Sequence, residues 1–399
     1  MSVHSSTLMD ETPISDETRE WLDRIDPIAS LVQENRERGE RERVAPAAVI
    51  DELRALGVHR MWVSREFGGS QVGIETGSAV IQRLARWDPS IAWQMGVQGA
   101  IGRLSDYLPE TTARKLFSDS DQLVVGGVNP AGRAVRVAGG YRLSGTWGFA
   151  SGSAHADWLV CNAFVTGEDG RPRATANGPE TRMLFVPRSE CRMLDTWHTI
   201  GLRGTGSEHY EVAETFVDDD FTVPVADILR PPAPRPSRAY PIGYYDFGPF
   251  TSASTALGAA GGALAAVKAL AGEKTPTAAS GSLAGSHTVQ EKVGRAESLL
   301  RSARLMLADA AWHAQGSGES GGDDLSALIR LTAATVAENS TAVVDIAFRL
   351  AGTTAIYTGS PLEHYFRDVH TAVKHITLSH NHFEMVGQYL LGGELKMRR

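Results

Sequence analysis

The apolar positions of the first part of the chain recur at helical spacing. In residues 46–57 they fall at Val49, Leu53 and Leu56, after a proline in the first turn and before a terminal glycine. Asp-Pro-Ser at 88–90 is typical of a place where one helix ends and the next is capped. The pattern therefore predicts helices from about residue 15 to residue 117.

The pattern then changes to short runs of alternating or β-branched residues that are separated by glycine and proline turns. This spacing predicts a small antiparallel barrel or sandwich up to about residue 229, followed by a stiff proline-rich connector at 230–236. The strand-like runs are 135–137, 141–143, 159–160, 183–186 and 211–213.

Long helical patterns return after residue 250, and Gly258, Gly261 and Gly262 in the first of them predict close helix packing. Four such segments are typical of a four-helix bundle. The fold class is therefore α+β in the order all-α, all-β, all-α, with predicted domains at 1–122, 123–232 and 233–399. The four helical segments are 254–271, 287–315, 323–350 and 362–391.

Composition describes an ordinary soluble protein, with 42% hydrophobic and 22% charged residues. A net charge of −8 argues against a nucleic-acid partner, whose binding requires basic surface. No apolar stretch is expected to reach the roughly 18 residues of a membrane span. Residues 1–4 lead into polar sequence, so no secretory signal is expected, and the two cysteines fit no disulfide framework. We therefore expect a cytoplasmic protein without a membrane partner.

Several kinds of chemistry lose support because their motifs are absent from the sequence. A di-iron bundle needs Glu-x-x-His on two helices, and the chain has no such motif. It also lacks a Walker loop, a Gly-x-Gly-x-x-Gly after a strand and a Gly-x-Ser-x-Gly elbow. No metal site is predicted from the histidines near the C-terminus, because three of them are five residues apart, which turns successive side chains by more than a third of a helix circumference. The histidines near the C-terminus are His364, His370, His375, His380 and His382.

The most informative segment is 145–156, in which Phe149-Ala150-Ser151 lies between two strand-like runs. It resembles the flavin-contacting strand of the acyl-CoA dehydrogenase superfamily, in a form closer to its two-component flavin-dependent monooxygenases. Residues 195–207, which end in Gly-Thr-Gly-Ser, are similar to the second flavin-edge loop of these monooxygenases. Arg367-Asp368 resembles the Arg-Asp helix start of the superfamily. The resemblance extends over about residues 15–395.

The resemblance also separates the branches of the superfamily. Acyl-CoA dehydrogenases often carry a catalytic carboxylate about nine residues beyond the arginine, where this chain has Ile376. The monooxygenases place a histidine where His375 stands, and a histidine can donate a hydrogen bond to a flavin C4a-peroxide or accept a substrate proton. The alternative for His375 is a packed or surface histidine without catalytic function.

Other site residues are implied by the same resemblance. His375, Ser151 and Asn129 are the candidate catalytic residues, with Asn129 near the reactive edge of the flavin. Trp93 is expected beside the flavin, although a place in the helix core is almost as plausible for it. The candidate flavin-binding residues are Trp93, Asn129, Phe149, Ser151, Trp197, Arg203, Ser207 and Arg367.

Two departures from the family pattern affect the expected substrate and cofactor. Phenol-hydroxylating relatives usually carry a second histidine eight residues after the tryptophan, where this chain has Ile101. The arginine segment that grips the pyrophosphate of FAD in the dehydrogenases is also missing, and the corresponding stretch offers only Lys274. The second departure favours a diffusible reduced flavin, FMNH2 or FADH2.

The resemblance implies an oxygenase component that uses reduced flavin and O2, through a C4a-(hydro)peroxyflavin, to oxygenate a small aromatic or polycyclic substrate. A separate NAD(P)H:flavin reductase would supply the reduced flavin by diffusion, and a homotetramer is expected. Two alternatives remain open from the sequence: a dehydrogenase of acyl thioesters with a relocated base, and a helical scaffold without catalysis.

Overall fold

The computed structural model describes residues 14–118, 122–167, 169–176, 178–233, 240–277, 280–316 and 322–395. The expectation about a leader at 1–4 falls outside these residues. So do positions 234–236 of the proline-rich connector.

The N-terminal part is helical, as the apolar spacing predicts. Asp88 begins α5 as predicted, because its carboxylate accepts hydrogen bonds from the backbone N–H groups of Ser90 and Ile91, at 2.7 and 3.4 Å. Gly57, just beyond α3, adopts a left-handed conformation with φ 75°. The helices are α1 Asp16–Ile25, α2 Ala29–Glu42, α3 Ala47–Ala55, α4 Ile74–Trp87, α5 Pro89–Gly102 and α6 Glu110–Phe117.

The middle part is a sheet, and every strand-like run predicted from the sequence lies in one of its strands. The strands are β1 Val124–Gly127, β2 Arg133–Val137, β3 Gly140–Ala150, β4 Trp158–Thr166, β5 Ala174–Thr175, β6 Gly178–Pro179, β7 Thr181–Pro187, β8 Arg192–Leu194, β9 Glu208–Asp218 and β10 Thr222–Pro224. The main sheet has the order β10-β7-β4-β2-β3-β9-β8, while β5 and β6 form a separate ribbon.

The main sheet differs from the predicted antiparallel arrangement in two strand pairs. β1 and β2 both run parallel to β4 and pair with successive stretches of it, at 158–161 and 164–166. The remaining pairs of the main sheet are antiparallel. Alternation of apolar residues shows which residues share a face of a sheet, but it carries no information on strand direction.

After the short helix α7 Val225–Ile228, the C-terminal part contains α8 Tyr244–Glu273, α9 His287–Gly316, α10 Gly322–Ala351, α11 Pro361–Ala372 and α12 Asn381–Leu390. The second and third predicted segments match α9 and α10 closely, whereas α8 begins ten residues before the predicted start at 254.

The prediction of one continuous helix over 362–391 is wrong. The chain leaves α11 and becomes extended at His375 (φ −68°, ψ 142°), then makes a 3₁₀ turn at Ile376–Leu378 before α12. The His375 side chain caps this turn by accepting from the backbone N–H of Thr377. His375 therefore lies in a break between two helices rather than on a helix face.

α8 is the central helix, and it packs against α4, α5, α9, α10 and α11. Its glycines allow this packing, as predicted. A Cβ on Gly258 would lie 2.3 Å from the carbonyl oxygen of Gln82, and one on Gly262 would lie 2.5 Å from the ring of Tyr365. One hydrophobic core therefore joins the helices before the sheet to those after it.

α8 is also long and apolar enough to cross a membrane by length and composition, so the expectation that no stretch reaches this length is wrong. The structure gives its apolar surface another partner, because 61% of its most apolar window is buried inside the protein. A central core helix satisfies the same criterion as a membrane span.

Candidate active site

The end of strand β3 presents an exposed aromatic ring. Phe149 has a left-handed backbone (φ 66°), which is uncommon for a bulky residue, and 60% of its surface is exposed. Its ring lies edge-on to Trp197, with centroids 6.2 Å apart, and to His209, at 5.7 Å. The strand thus presents an exposed apolar ring, and the contact of Phe149 with a flavin stays a prediction.

The loop between β8 and β9 is organised around Leu202, which also has a left-handed backbone (φ 50°). Its carbonyl accepts hydrogen bonds from the indole N–H of Trp197, at 3.0 Å, and from the hydroxyl of Thr205, at 2.8 Å. Its backbone N–H donates to Oδ1 of Asp368 on α11, at 2.6 Å. Asp368 therefore connects this loop to the C-terminal helices.

Three buried hydroxyls connect the loop to the end of β3. The oxygens of Thr205 and Ser207 are 2.6 Å apart, and those of Ser207 and Ser151 are 2.7 Å apart. The backbone N–H of Gly152 donates to the Thr205 carbonyl at 2.8 Å. Ser151 and Ser207, which the sequence assigns to two separate flavin-binding segments, are thus in direct contact.

The helical side of the site is apolar and aromatic. Trp93 of α5 belongs to one small buried cluster with Trp197, Leu202 and Ala372. The Trp93 ring also lies edge-to-face against His375, with centroids 5.3 Å apart and planes at 78°. We refer to Phe149, Ser151, Trp93, Trp197 and His375 together as the aromatic site.

Burial lowers the pKa of His375 to about 4. The imidazole is therefore neutral near pH 7, and one ring nitrogen carries a proton while the other is an acceptor. A neutral imidazole beside Trp93 can donate or accept a single hydrogen bond toward a bound ligand. The structure thus places His375 in the aromatic site rather than on the open surface.

Arg367 lies next to this site but contacts protein groups. Its guanidinium donates to both Glu363 and Glu40, and to the carbonyl oxygen of Ile200 at 2.5 Å. It therefore holds the β8–β9 loop against α11 and α2. The role in flavin binding that the sequence suggests for Arg367 stays a prediction.

Asn129 and Arg203 have fewer contacts. The Asn129 side chain is exposed in the segment after β1 and makes no hydrogen bond to any residue that the structure describes. Arg203 lies in a short turn between Leu202 and Ser207, and its buried Nε has no partner among the described residues. Their assignment as flavin-binding residues also stays a prediction.

Sequence reasoning missed four residues that shape the site, and two of them, Glu40 and Arg43, lie at the end of α2 and just after it. Glu40 forms an ion pair with Arg367 at 2.9 Å, and Arg43 forms one with Asp195 at 2.8 Å. Residues 34–43 alternate in charge, which is typical of a solvated helix face, so no local signal distinguishes Glu40 and Arg43.

The other two missed residues are Gln94 and Gln98 of α5, which follow Trp93 in the sequence. Gln94 Oε1 and both amide atoms of Gln98 are buried without a partner in the described residues. A Cβ on Gly152 would come within 3.0 Å of both side chains. Buried polar side chains one helical turn apart in sequence were a usable signal, because such groups need a hydrogen-bonding partner.

Both departures from the family pattern have a structural explanation. Ile101 is buried in an apolar core between the N-terminal helices and the sheet. Lys274 donates to the carbonyl of Ala351, the last residue of α10, at 2.7 Å, and to the Thr354 hydroxyl just beyond it, at 2.8 Å. The one cation of the stretch that corresponds to the pyrophosphate arginine is thus used inside the protein.

One cluster of side chains that could bind a metal ion is present in the part of the chain that the structure describes. Atoms of Glu40, His364 and Asp368 lie within 4.8 Å of one another. Arg367 already neutralises Glu40, and burial together with Glu40 raises the pKa of Asp368 well above its usual range. These charges favour a protonated Asp368 over a bound cation. The other C-terminal histidines lie apart from this group.

A flavin fits the residues present. The exposed Phe149 ring provides an apolar face, and the glutamine amides provide buried polar atoms without a partner beside Gly152. A flavin ring system combines a flat apolar surface with a polar edge, and a site of this composition can bind both.

The chain is similar to known proteins over most of its length. Residues 10–112 match the acyl-CoA dehydrogenase N-terminal domain, and residues 250–380 match its C-terminal domain. The chain is 30% identical to the oxygenase component of an FADH(2)-dependent resorcinol hydroxylase from Rhizobium sp. (strain MTP-10005), over 94% of each chain. It is 28% identical to indole-3-acetate monooxygenase from Pseudomonas putida, over 88% of this chain and 89% of the relative.

Among solved structures, XiaF from Streptomyces sp., described in complex with FADH2 and glycerol, superimposes with a TM-score of 0.88. It is 24% identical and covers 96% of this chain and 97% of its own, so it supports the fold. Together with the matches of both helical domains, these findings show that the chain belongs to the acyl-CoA dehydrogenase family, within its branch of flavin-dependent monooxygenases.

Proposed function

We propose that the chain is the oxygenase component of a two-component system that oxygenates a small aromatic or polycyclic compound. The observation that carries the proposal is the contact between Trp93 and the neutral His375, beside the exposed ring of Phe149. Where a dehydrogenase of this fold would hold its carboxylate, the chain has Ile376, which is half exposed.

The reaction balances with the flavin as the only reductant. Reduced flavin supplies two electrons and two protons, one atom of O2 enters the substrate, and the other leaves as water. The side chains of Trp93, Trp197 and Leu202 keep water away from the reacting atoms. Ser151 and Ser207 offer hydroxyls at the polar edge, and His375 holds or donates one hydrogen bond at the reacting centre.

A separate NAD(P)H:flavin reductase is the proposed source of the reduced flavin, and the cytoplasm is the proposed location. The sequence has no glycine-rich dinucleotide loop that follows a strand. Lys274 is occupied by Ala351 and Thr354, which favours a flavin that diffuses between the two proteins. We expect weak binding of oxidised flavin and tight binding of reduced flavin. Purification of a stably yellow protein with stoichiometric FAD would contradict this expectation.

We also propose a homotetramer. The long apolar helix α10 is covered within the chain, because it packs against α8 and α9. Exposed apolar side chains lie instead on α9 and near the C-terminus. They are Leu305, Trp312, Ile356, Tyr357, Leu390 and Leu391.

Sedimentation at micromolar protein concentration tests the assembly. The wild type should sediment as a tetramer, and Trp312→Ser should form smaller species. Arg295→Ser, at an exposed position of the same helix, serves as the control and should remain tetrameric. A monomeric wild type would show that the assembly is wrong.

An isotope experiment tests the activity. The protein is mixed with reduced FMN or FAD, ¹⁸O2 and a panel of aromatic compounds that includes resorcinol and indole-3-acetate, on which relatives act. We expect a product that carries one ¹⁸O atom. Desaturation of an acyl thioester without oxygen incorporation would favour the dehydrogenase. A protein that binds neither form of flavin would favour a scaffold without catalysis.

Substitution of His375 tests the assignment of the catalytic residue. His375→Ala should still bind reduced flavin but release hydrogen peroxide in place of product, with a loss of about 10²-fold or more in product formation. His380→Ala, a change at an exposed histidine nearby, should behave as the wild type. Ser151→Ala should weaken flavin binding by about 1 kcal/mol, the value of one net hydrogen bond. Wild-type coupling of oxygen to product in His375→Ala would remove His375 from the catalytic role.

A further inference from the structure

Two hydroxyl side chains connect His375 to the central helix. Nδ1 of His375 lies 2.7 Å from the hydroxyl oxygen of Thr377, which lies 2.6 Å from the hydroxyl oxygen of Ser252 on α8. Ser252 is buried, and Thr377 lies in the 3₁₀ turn that interrupts the C-terminal helices. The imidazole is thus held at Nδ1 by a row of hydroxyls that leads into the helical core.

The direction of the hydrogen bonds in this row follows from the groups around it. The backbone N–H of Thr377 approaches Nδ1 at 3.4 Å and can only donate, so Nδ1 must be an acceptor. The Thr377 hydroxyl then donates to Nδ1 as well and accepts from Ser252. The carbonyls of Gly248 and Pro249 lie 3.4 and 3.3 Å from the Ser252 hydroxyl, whereas the Thr377 oxygen is at 2.6 Å. The shorter distance favours donation from Ser252 to Thr377.

We propose that Ser252 and Thr377 are positioning residues that hold His375 as the Nε2–H tautomer, so that this chain presents a donor, and not an acceptor, to the reacting centre. The role of this donor in oxygenation rests on the function proposed above, but the tautomer itself does not. Both partners of the imidazole among the described residues bind Nδ1, which leaves Nε2–H for a ligand.

Because the pKa of His375 is low, the tautomer of the neutral ring determines what the side chain can do. Because the pKa is about 4, the ring carries one proton at pH 7, and its chemistry depends on which nitrogen holds that proton. With the proton on Nδ1, Nε2 would be a base. With the proton on Nε2, the ring donates to an oxygen atom at the reacting centre and cannot remove a proton there.

The tautomer can be measured by solid-state NMR on the flavin-free protein with ¹⁵N-labelled histidine. The chain has 12 histidines, so the signals of His375 are assigned by their loss in His375→Gln. At pH 7 we expect the proton of His375 on Nε2. A proton on Nδ1 in the wild type would overturn the proposal.

Matched variants test the two hydroxyls. Thr377→Val has a similar shape without the hydroxyl, and it should shift the tautomer ratio toward Nδ1–H by about fivefold, as expected for one net hydrogen bond. Thr377→Ser keeps the hydroxyl and should retain the wild-type ratio. Ser252→Ala should shift the ratio in the same direction as Thr377→Val. An unchanged ratio in a folded Thr377→Val protein would contradict the proposal.

A second readout separates this proposal from the proposed function. With reduced flavin, O2 and a substrate, Thr377→Val should release more hydrogen peroxide per product than the wild type, and Thr377→Ser should restore the wild-type ratio. If the NMR shifts occur as expected but the wild type oxygenates nothing, the proposed function fails and the assignment of the tautomer stands.

Discussion

The hydrogen bond between Asp368 and Leu202 should stabilise the loop that carries Trp197. Asp368→Ala leaves the backbone N–H of Leu202 without its acceptor at 2.6 Å, in a buried place. An unsatisfied buried donor costs about 1–3 kcal/mol. Leu202 also has a left-handed backbone, but this strain is already present in the wild type and adds nothing to the difference. We therefore expect the free energy of unfolding to fall by about 1–3 kcal/mol.

The protonation state of Asp368 determines which substitution serves as the control. Burial and the nearby Glu40 raise the pKa of its carboxyl well above the usual range, which favours the protonated form in the folded protein. Asparagine resembles a protonated aspartic acid and keeps the acceptor oxygen. Asp368→Asn should therefore lie within about 1 kcal/mol of the wild type, well inside the usual cost of losing a buried ion pair.

Urea unfolding of the three flavin-free proteins, with equal slopes, measures these differences. Binding of reduced flavin should weaken in Asp368→Ala, because Trp197 loses the fixed carbonyl of Leu202. Two results would refute the reasoning. Asp368→Asn as unstable as Asp368→Ala would mean that the native residue is ionised, and a stable Asp368→Ala would mean that the loop does not need the contact.

Three other measurements follow from the structure. The pKa of His375 is about 4 in the folded protein and about 6.5 when unfolded, so the folded protein binds fewer protons between these values and becomes less stable as the pH drops through this window. Measured by urea unfolding, the wild type should lose up to about 3 kcal/mol more stability than His375→Gln between pH 7 and pH 4. Equal losses in the two proteins would contradict the lowered pKa. Asp88→Ala should cost about 1 kcal/mol by loss of the α5 cap, with Asp88→Ser as the conservative control, and no change in urea midpoint would exclude the cap. Gly262→Ala should lower the free energy of unfolding by about 1–3 kcal/mol, because the added Cβ meets the ring of Tyr365. Gly294→Ala, which faces open space on α9, should leave the stability unchanged or raise it. Equal melting temperatures of the two variants would contradict the close packing at Gly262.

The order of helices and strands was predictable because it depends on local apolar spacing. The break at His375 was not, since its cause is tertiary. The extended backbone there is supported by the contact of Thr377 with Ser252, which is 125 residues away in sequence. The two parallel strand pairs likewise depend on where β1 and β2 meet β4, which alternation does not encode.

For the site, residue types were more predictable than contacts. The resemblance placed Ser151, Ser207 and His375 near a flavin, and the structure brings the two serines into contact and His375 against Trp93. Glu40 could not be found in this way, because it lies in a run of alternating charges and reaches Arg367 from 327 residues away. A charge pattern shows that a helix can be solvated, but not which carboxylate is turned inward.

Two large apolar residues with left-handed backbones, Phe149 and Leu202, occur at the same site, and this suggests that its shape is imposed by the fold. Such conformations cost of order 1–3 kcal/mol each and persist only where the surroundings determine them. Leu202 is held at its N–H by Asp368 and at its carbonyl by Trp197 and Thr205. Thr205 in turn contacts Ser207, which contacts Ser151, and the backbone N–H of Ser151 donates to the carbonyl of Phe149 at 3.0 Å. Because one continuous row of hydrogen bonds holds both residues, a ligand meets aromatic faces and hydroxyls already in place, and its binding energy need not be used to arrange them.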